Sequence, residues 1–204
     1  MSRKFLPLLW LMALGLTLTG CGSSPPNNYY VLSAHEFPAT NGDTPAVGVG
    51  PIVVPEYLIR QNLVYNRDAN TLHVAGLDMW GEPLEDGIQR VLALNLSGLL
   101  QTQNMRFFPW NPKRAPDYGV KVNLLQLDVN EDEASLKAEW LVYRPANGEP
   151  VKRRISQLIL PLSSGTSEPD QVAEAYSKLL LQLSKIIAAS IRTDQTEQSS
   201  ATSH

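Results

Sequence analysis

The first twenty residues decide how much of this chain is left to fold. Arg3 and Lys4 form a short positive head, and residues 5–18 are apolar except for Pro7, Gly15 and Thr17. At about 14 residues the run is too short for a membrane-spanning helix, which needs about 20. A basic head, a short apolar middle and small residues at the exit are the build of a secretory signal peptide. The expected division is a signal peptide over 1–20, a modified residue and tether over 21–28, one folded domain over 29–192, and a disordered tail over 193–204.

The apolar run closes on Leu18, Thr19, Gly20 and Cys21. This resembles the bacterial lipobox, a Leu followed by two small residues and a Cys. Cys21 is the one cysteine of the chain, so an internal disulfide is excluded. The lipobox implies that the Cys21 thiol becomes a diacylglyceryl thioether. Cleavage before Cys21 then frees its amine for a further acyl group such as palmitate. One acyl chain holds a protein marginally, whereas two or three hold it firmly. Gly22 stands where enterobacterial sorting places Asp for retention in the inner membrane. By that rule the chain goes to the outer membrane, on its periplasmic face.

Beyond a Pro-containing tether, the pattern alternates between two periods. Tyr29–Leu32 reads as a strand, and residues 47–54 as a second, with Pro51 marking an edge or a bulge. Residues 63–66 and 72–75 bracket a hairpin around Asp68, Ala69 and Asn70. Leu84, Ile88, Val91, Leu92, Asn95 and Leu99 then recur at helical spacing, with Leu94, Leu96 and Leu100 widening the apolar surface and Pro83 at the helix start. Residues 106–110, 118–129, 136–142 and 151–160 read as strands. The adjacent pair Leu124 and Leu125 breaks the alternation and predicts a bulge or two-sided burial. Asn147-Gly148 is a strong hairpin signal. A second helix is expected from about Pro169 to Ile191, with one stripe of Val172, Tyr176, Leu179, Leu180, Leu183, Ile186 and Ile187. Helices that separate runs of strands imply an α+β fold, a mostly antiparallel sheet packed on two amphipathic helices.

The formal net charge of −3 argues against a nucleic-acid partner, which calls for a basic face. A chain 43% hydrophobic and 18% charged buries a normal core. The residues nominate no catalytic set. His35, His73 and His204 are scattered, and no spacing suits a metal, so neither an enzyme nor a metal site is expected. No cofactor is expected either, apart from the covalent lipid on Cys21. Gly48 and Gly50 lie in a strand and indicate a bulge or a close backbone approach. The acidic run 131–133 reads as a solvated turn and the basic run 152–154 as a solvated strand start. Tyr57, Trp80 and Trp140 are candidate partner contacts, because Tyr and Trp are enriched at interfaces. Core packing is the competing role, and Trp110 is weighed the same way. For Trp80 it would anchor the start of the first helix.

Several segments together resemble one family. They are Tyr29-Tyr30-Val31-Leu32, Val54-Pro55-Glu56-Tyr57-Leu58, Leu63-Val64-Tyr65, Trp80-Gly81-Glu82-Pro83-Leu84, Asn95-Leu96-Ser97 and Glu139-Trp140-Leu141. The set is similar to the PqiC family, the ABC-type transport auxiliary lipoprotein component or DUF330-like lipoproteins. The resemblance runs over roughly residues 1 to 190. It implies an outer-membrane lipoprotein that accompanies an MCE-domain transporter and supports membrane integrity. Its implied role is non-enzymatic: docking the distal end of a lipid-transport bridge, with a homo-oligomeric ring as the implied assembly. The alternative is a periplasmic carrier that holds an acyl chain between sheet and helices, which requires a sizeable apolar cavity.

Overall fold

Strands and helices follow one another in the expected order. The computed structural model describes residues 25–68, 70–130, 132–162 and 169–202. The signal peptide, Leu18, Thr19, Gly20 and Cys21 lie outside the described residues. The elements are β1 (Asn28–Tyr30), β2 (Val47–Val53), β3 (Asn62–Asp68), β4 (Thr71–Trp80), α1 (Leu84–Leu100), β5 (Met105–Phe107), β6 (Tyr118–Val129), β7 (Glu133–Arg144), β8 (Glu149–Pro161) and α2 (Pro169–Thr202). The fold is α+β.

The strands form two mixed sheets rather than one mostly antiparallel sheet. One has the order β1-β4-β3 and the other β5-β2-β6-β7-β8. β2 runs parallel to both β5 and β6, and β1 runs parallel to β4. The reason is connectivity. Parallel neighbours need a long crossover, and between β2 and β5 the chain spends β3, β4 and α1. The pairs joined by short turns, β3–β4, β6–β7 and β7–β8, are antiparallel as expected.

Local signals in the sequence mark the irregularities. The β6–β7 register slips between Leu124 and Gln126, where two leucines are adjacent. The β2–β6 register slips between Val49 and Ile52, so Pro51 marks a bulge in an interior strand and not an edge. Gly50 sits there at φ +113°, a conformation that disfavours side chains with a Cβ. Gly48 answers a different need. A Cβ on it would come within 2.6 Å of the Trp110 ring and 2.7 Å of Pro116, because the β5–β6 connection crosses over this strand. Trp110 therefore packs on β2. The β7–β8 turn closes with the Gly148 N–H donating to the Arg144 carbonyl at 2.8 Å, and Gly148 takes φ +76°.

Both helices cover the inner face of the five-stranded sheet. α1 packs on β2 and β5, α2 packs on β6, β7 and β8, and the two helices pack on each other. Ile88, Val91, Leu92 and Leu96 of α1 are buried, as are Tyr176, Leu179, Leu180, Leu183 and Ile187 of α2. Leu94, read as widening the apolar side of α1, is exposed. Residues 32–37 follow α1. The Arg90 guanidinium donates to the Leu32 carbonyl at 2.9 Å, and Asn95 Oδ1 accepts from the His35 N–H at 2.9 Å.

The expected loose tail is a continuation of α2 as far as Thr202. Its polar composition does not fray it, because Asp194 reaches back to the sheet. The Asp194 carboxylate pairs with Arg144 at 2.7 Å and accepts from the Tyr118 hydroxyl at 2.6 Å. Gln198, one turn on, donates to the same carboxylate at 2.6 Å.

Candidate functional site

Two of the three candidate contact residues belong to the core. Trp140 is 1% exposed on the inner face of β7, and its indole N–H donates to Ser156 Oγ at 2.9 Å. With its polar atom satisfied inside the protein, it offers nothing to a partner. Trp80 is also buried and stacks on Tyr176 of α2, with ring centroids 6.3 Å apart. It thus anchors the end of β4 to the second helix. Tyr57 is half-buried on a 3-10 turn, Glu56–Leu58. Burial raises its hydroxyl pKa and nearby Asp128 adds to this, against a backbone hydrogen bond at Leu127.

Asp128, which sequence reasoning passed over, joins the two sheets. Its carboxylate accepts from the Asn66 N–H at 2.7 Å and from the Val129 N–H at 2.9 Å, and the Asn66 side-chain amide also donates to it. The residue is 8% exposed. A buried carboxylate is tolerated when several N–H groups solvate it. β3 is thereby fixed to the end of β6. Nothing in the local pattern of an Asp on a strand signals that role.

Two of the segments that carry the family resemblance, 54–58 and 80–84, meet in space. The Trp80 N–H donates to the Gln61 carbonyl at 2.6 Å, drawing the stretch after β2 against the end of β4. Between them lies a surface hollow of about 300 Å³ whose lining includes Val54, Leu58, Ile59, Trp80 and Leu84. Its floor is apolar, since Val54, Leu58, Trp80 and Leu84 are all buried, while Ile59 stands exposed at the rim. Arg60, Glu82 and Glu85 also border it. Glu82 is held by Arg90 in an ion pair. Ile59 and the hollow were missed at the sequence level because neither segment shows the other in its pattern.

Among the described residues no group of three His, Cys, Asp or Glu side chains is placed to hold a metal. His35 lies against Phe37 and His73 against Tyr65, each with ring centroids 4.8 Å apart. In the acidic run, Asn130 Oδ1 accepts from the N–H groups of Asp132 and Glu133 at 2.9 Å, which makes a tight turn. Glu131 lies outside the described residues. Lys152, Arg153 and Arg154 are exposed on β8, and Arg153 pairs with Glu139 at 2.9 Å.

A family model described as the ABC-type transport auxiliary lipoprotein component matches residues 30–188. The chain belongs to this family. Both segments that form the hollow fall inside the matched range. The intermembrane transport lipoproteins PqiC of Escherichia coli K12 and of Shigella flexneri are each 32% identical over 94 residues, 43% of this chain and 50% of theirs. The chain thus spans about half the length of the curated relatives it matches. Protein XCC0632 of Xanthomonas campestris, assigned to DUF330, shares the fold with a TM-score of 0.63 at 13% identity, over 83% of this chain and 99% of that one. An uncharacterized protein of known structure does so with a TM-score of 0.61 at 20% identity, over 82% and 99%. No helix among the described residues of this chain is long and apolar enough to cross a membrane.

Proposed function

We propose that this auxiliary lipoprotein is held on the periplasmic face of the outer membrane by acyl groups on Cys21. There it serves as the non-enzymatic docking subunit of a Pqi-type MCE system that carries lipids between the two membranes. The observation that carries the reading is the family match over residues 30–188, following closely on a lipobox that ends at Cys21. Self-association into a ring around the transporter belongs to the same reading. The packing supports docking over lipid carriage. The layer between helices and sheet is filled by Trp140, Tyr176, Leu127, Leu179, Leu180 and Leu183, all buried.

Membrane fractionation tests the anchor. Wild-type chain is expected in the outer membrane, and Cys21→Ala as a folded protein absent from it. A Cys21→Ala variant that stays membrane-bound and functional would overturn the reading. In-cell crosslinking tests the partner. An MCE-domain protein is expected among the products, and its clean absence would refute docking. Native mass spectrometry separates the carrier, which would retain a lipid after purification, from the docking subunit, which would not.

A further inference from the structure

Several of the apolar side chains left in solvent lie at the end of the domain where the chain leaves for its anchor. Tyr29 is 64% exposed, Val31 54% and Ile59 56%. Tyr29 and Val31 border Gly81. The Gly81 N–H donates to the Tyr30 carbonyl at 2.8 Å, and a Cβ built on Gly81 would lie 3.1 Å from Val31 Cγ1 and 4.0 Å from Tyr29 Cβ. Ile59 and Gly81 line the same hollow. Leu77, also exposed, directly precedes Asp78, the β4 partner of Asn28.

The chain outside the fold is short and departs from this spot. β1 begins at Asn28, seven residues after Cys21. Fully extended, that stretch reaches about 25 Å, at ~3.3–3.6 Å per residue. Whatever surface holds Cys21 therefore stays within that distance of Asn28, the neighbour of Tyr29, while the rest of the domain is free to stand farther off. A short tether also raises effective concentration into the millimolar range. A contact too weak to form between free partners is then populated. The bordering charges are mixed, with Arg60 beside Glu82 and Glu85, so apolar insertion rather than attraction to anionic headgroups drives the contact.

We infer that this end of the domain, with Tyr29, Val31, Ile59 and Leu77, is a lipid-contact surface that dips into the leaflet holding the Cys21 anchor. The inference rests on the anchor proposed above. It orients the domain with the α1 N-terminus toward the membrane and leaves the other faces for protein partners.

Full-length lipidated protein in phosphatidylethanolamine/phosphatidylcholine vesicles containing acyl-brominated lipid provides the test. Bromine quenches tryptophan at short range, and wild-type emission supplies the background from Trp80, Trp110 and Trp140. Tyr29→Trp and Ile59→Trp are expected to lose much of their added emission. Ile155→Trp, on the open edge of β8 and equally exposed in the parent chain, is expected to lose none. Absence of quenching at 29 and 59, or equal quenching at 155, overturns the lipid contact. Flotation separates this outcome from failure of the anchor. If wild type does not float with the vesicles, the anchor reading falls and the lipid contact with it. If wild type floats, Cys21→Ala does not, and position 29 is unquenched, the lipid contact alone falls.

Discussion

Trp140 of the five-stranded sheet and Tyr29 of the three-stranded sheet are both strand aromatics, yet they end in opposite environments. Trp140 lies on β7, with a neighbour strand on each side and a helix layer over it. It is fully enclosed, and Ser156 takes its one polar hydrogen. Tyr29 lies on β1, a three-residue strand with β4 as its one partner, and most of its surface meets solvent. Burial follows the number of neighbouring strands and the presence of a covering layer, not the residue type. The enclosed region supplies stability. The open region, beside the tether, supplies the contact surface.

The largest effect expected on this contrast is at the enclosed end. Trp140→Ala removes a fully buried ring and should cost about 3–5 kcal/mol, read as a lower urea midpoint. A loss under about 1 kcal/mol would mean that this layer is not the core. Asp128→Ala probes the seam where the two regions meet. It strips partners from the Asn66 and Val129 N–H groups and should cost about 1–3 kcal/mol. Hydrogen exchange should then speed up first in β3, and uniform acceleration would argue against a seam.

The third prediction concerns pH and the far end of α2. The Tyr118 hydroxyl is pushed up to about 12, mainly by burial, then by its hydrogen bond to Asp194 and that carboxylate's charge, with Arg144 and Gln198 pulling the other way. Its unfolded value is about 10. A folded-state pKa above the unfolded one gives stability that is whole below pH ~10 and is lost as pH climbs toward ~12. The urea midpoint should fall across that window, and less steeply in Tyr118→Phe. Identical slopes would show that Tyr118 is not linked to folding. Smallest of all, Tyr29→Ser and Ile59→Ser should change stability by no more than about 0.5 kcal/mol, because their side chains already face water. A large loss in either would place these residues in the core and remove the contrast.

Much of the fold was legible because its elements are local. The stripe in residues 84–100 and the alternation in 118–129 report one helix and one strand without reference to anything distant. The turn at 145–148 is set by its own residues. Division into two sheets was not legible, because β1–β4 and β2–β6 pair strands separated by dozens of residues. The candidate site was legible only in halves. Residues 54–58 and 80–84 stood out separately, and the Trp80–Gln61 hydrogen bond that brings them to one hollow has no signature in either.

By itself the sequence determined the order of strands and helices, the family resemblance and the expected anchor at Cys21, since periodicity, turn chemistry and a processing motif are written in neighbouring residues. Tertiary structure alone decided that Trp80 and Trp140 are core, that Asp194 keeps α2 helical to Thr202, and that Tyr29, Val31 and Ile59 share an exposed end. Burial and ion pairing depend on what the rest of the chain lays against a side chain. Residues far apart in sequence provide that covering.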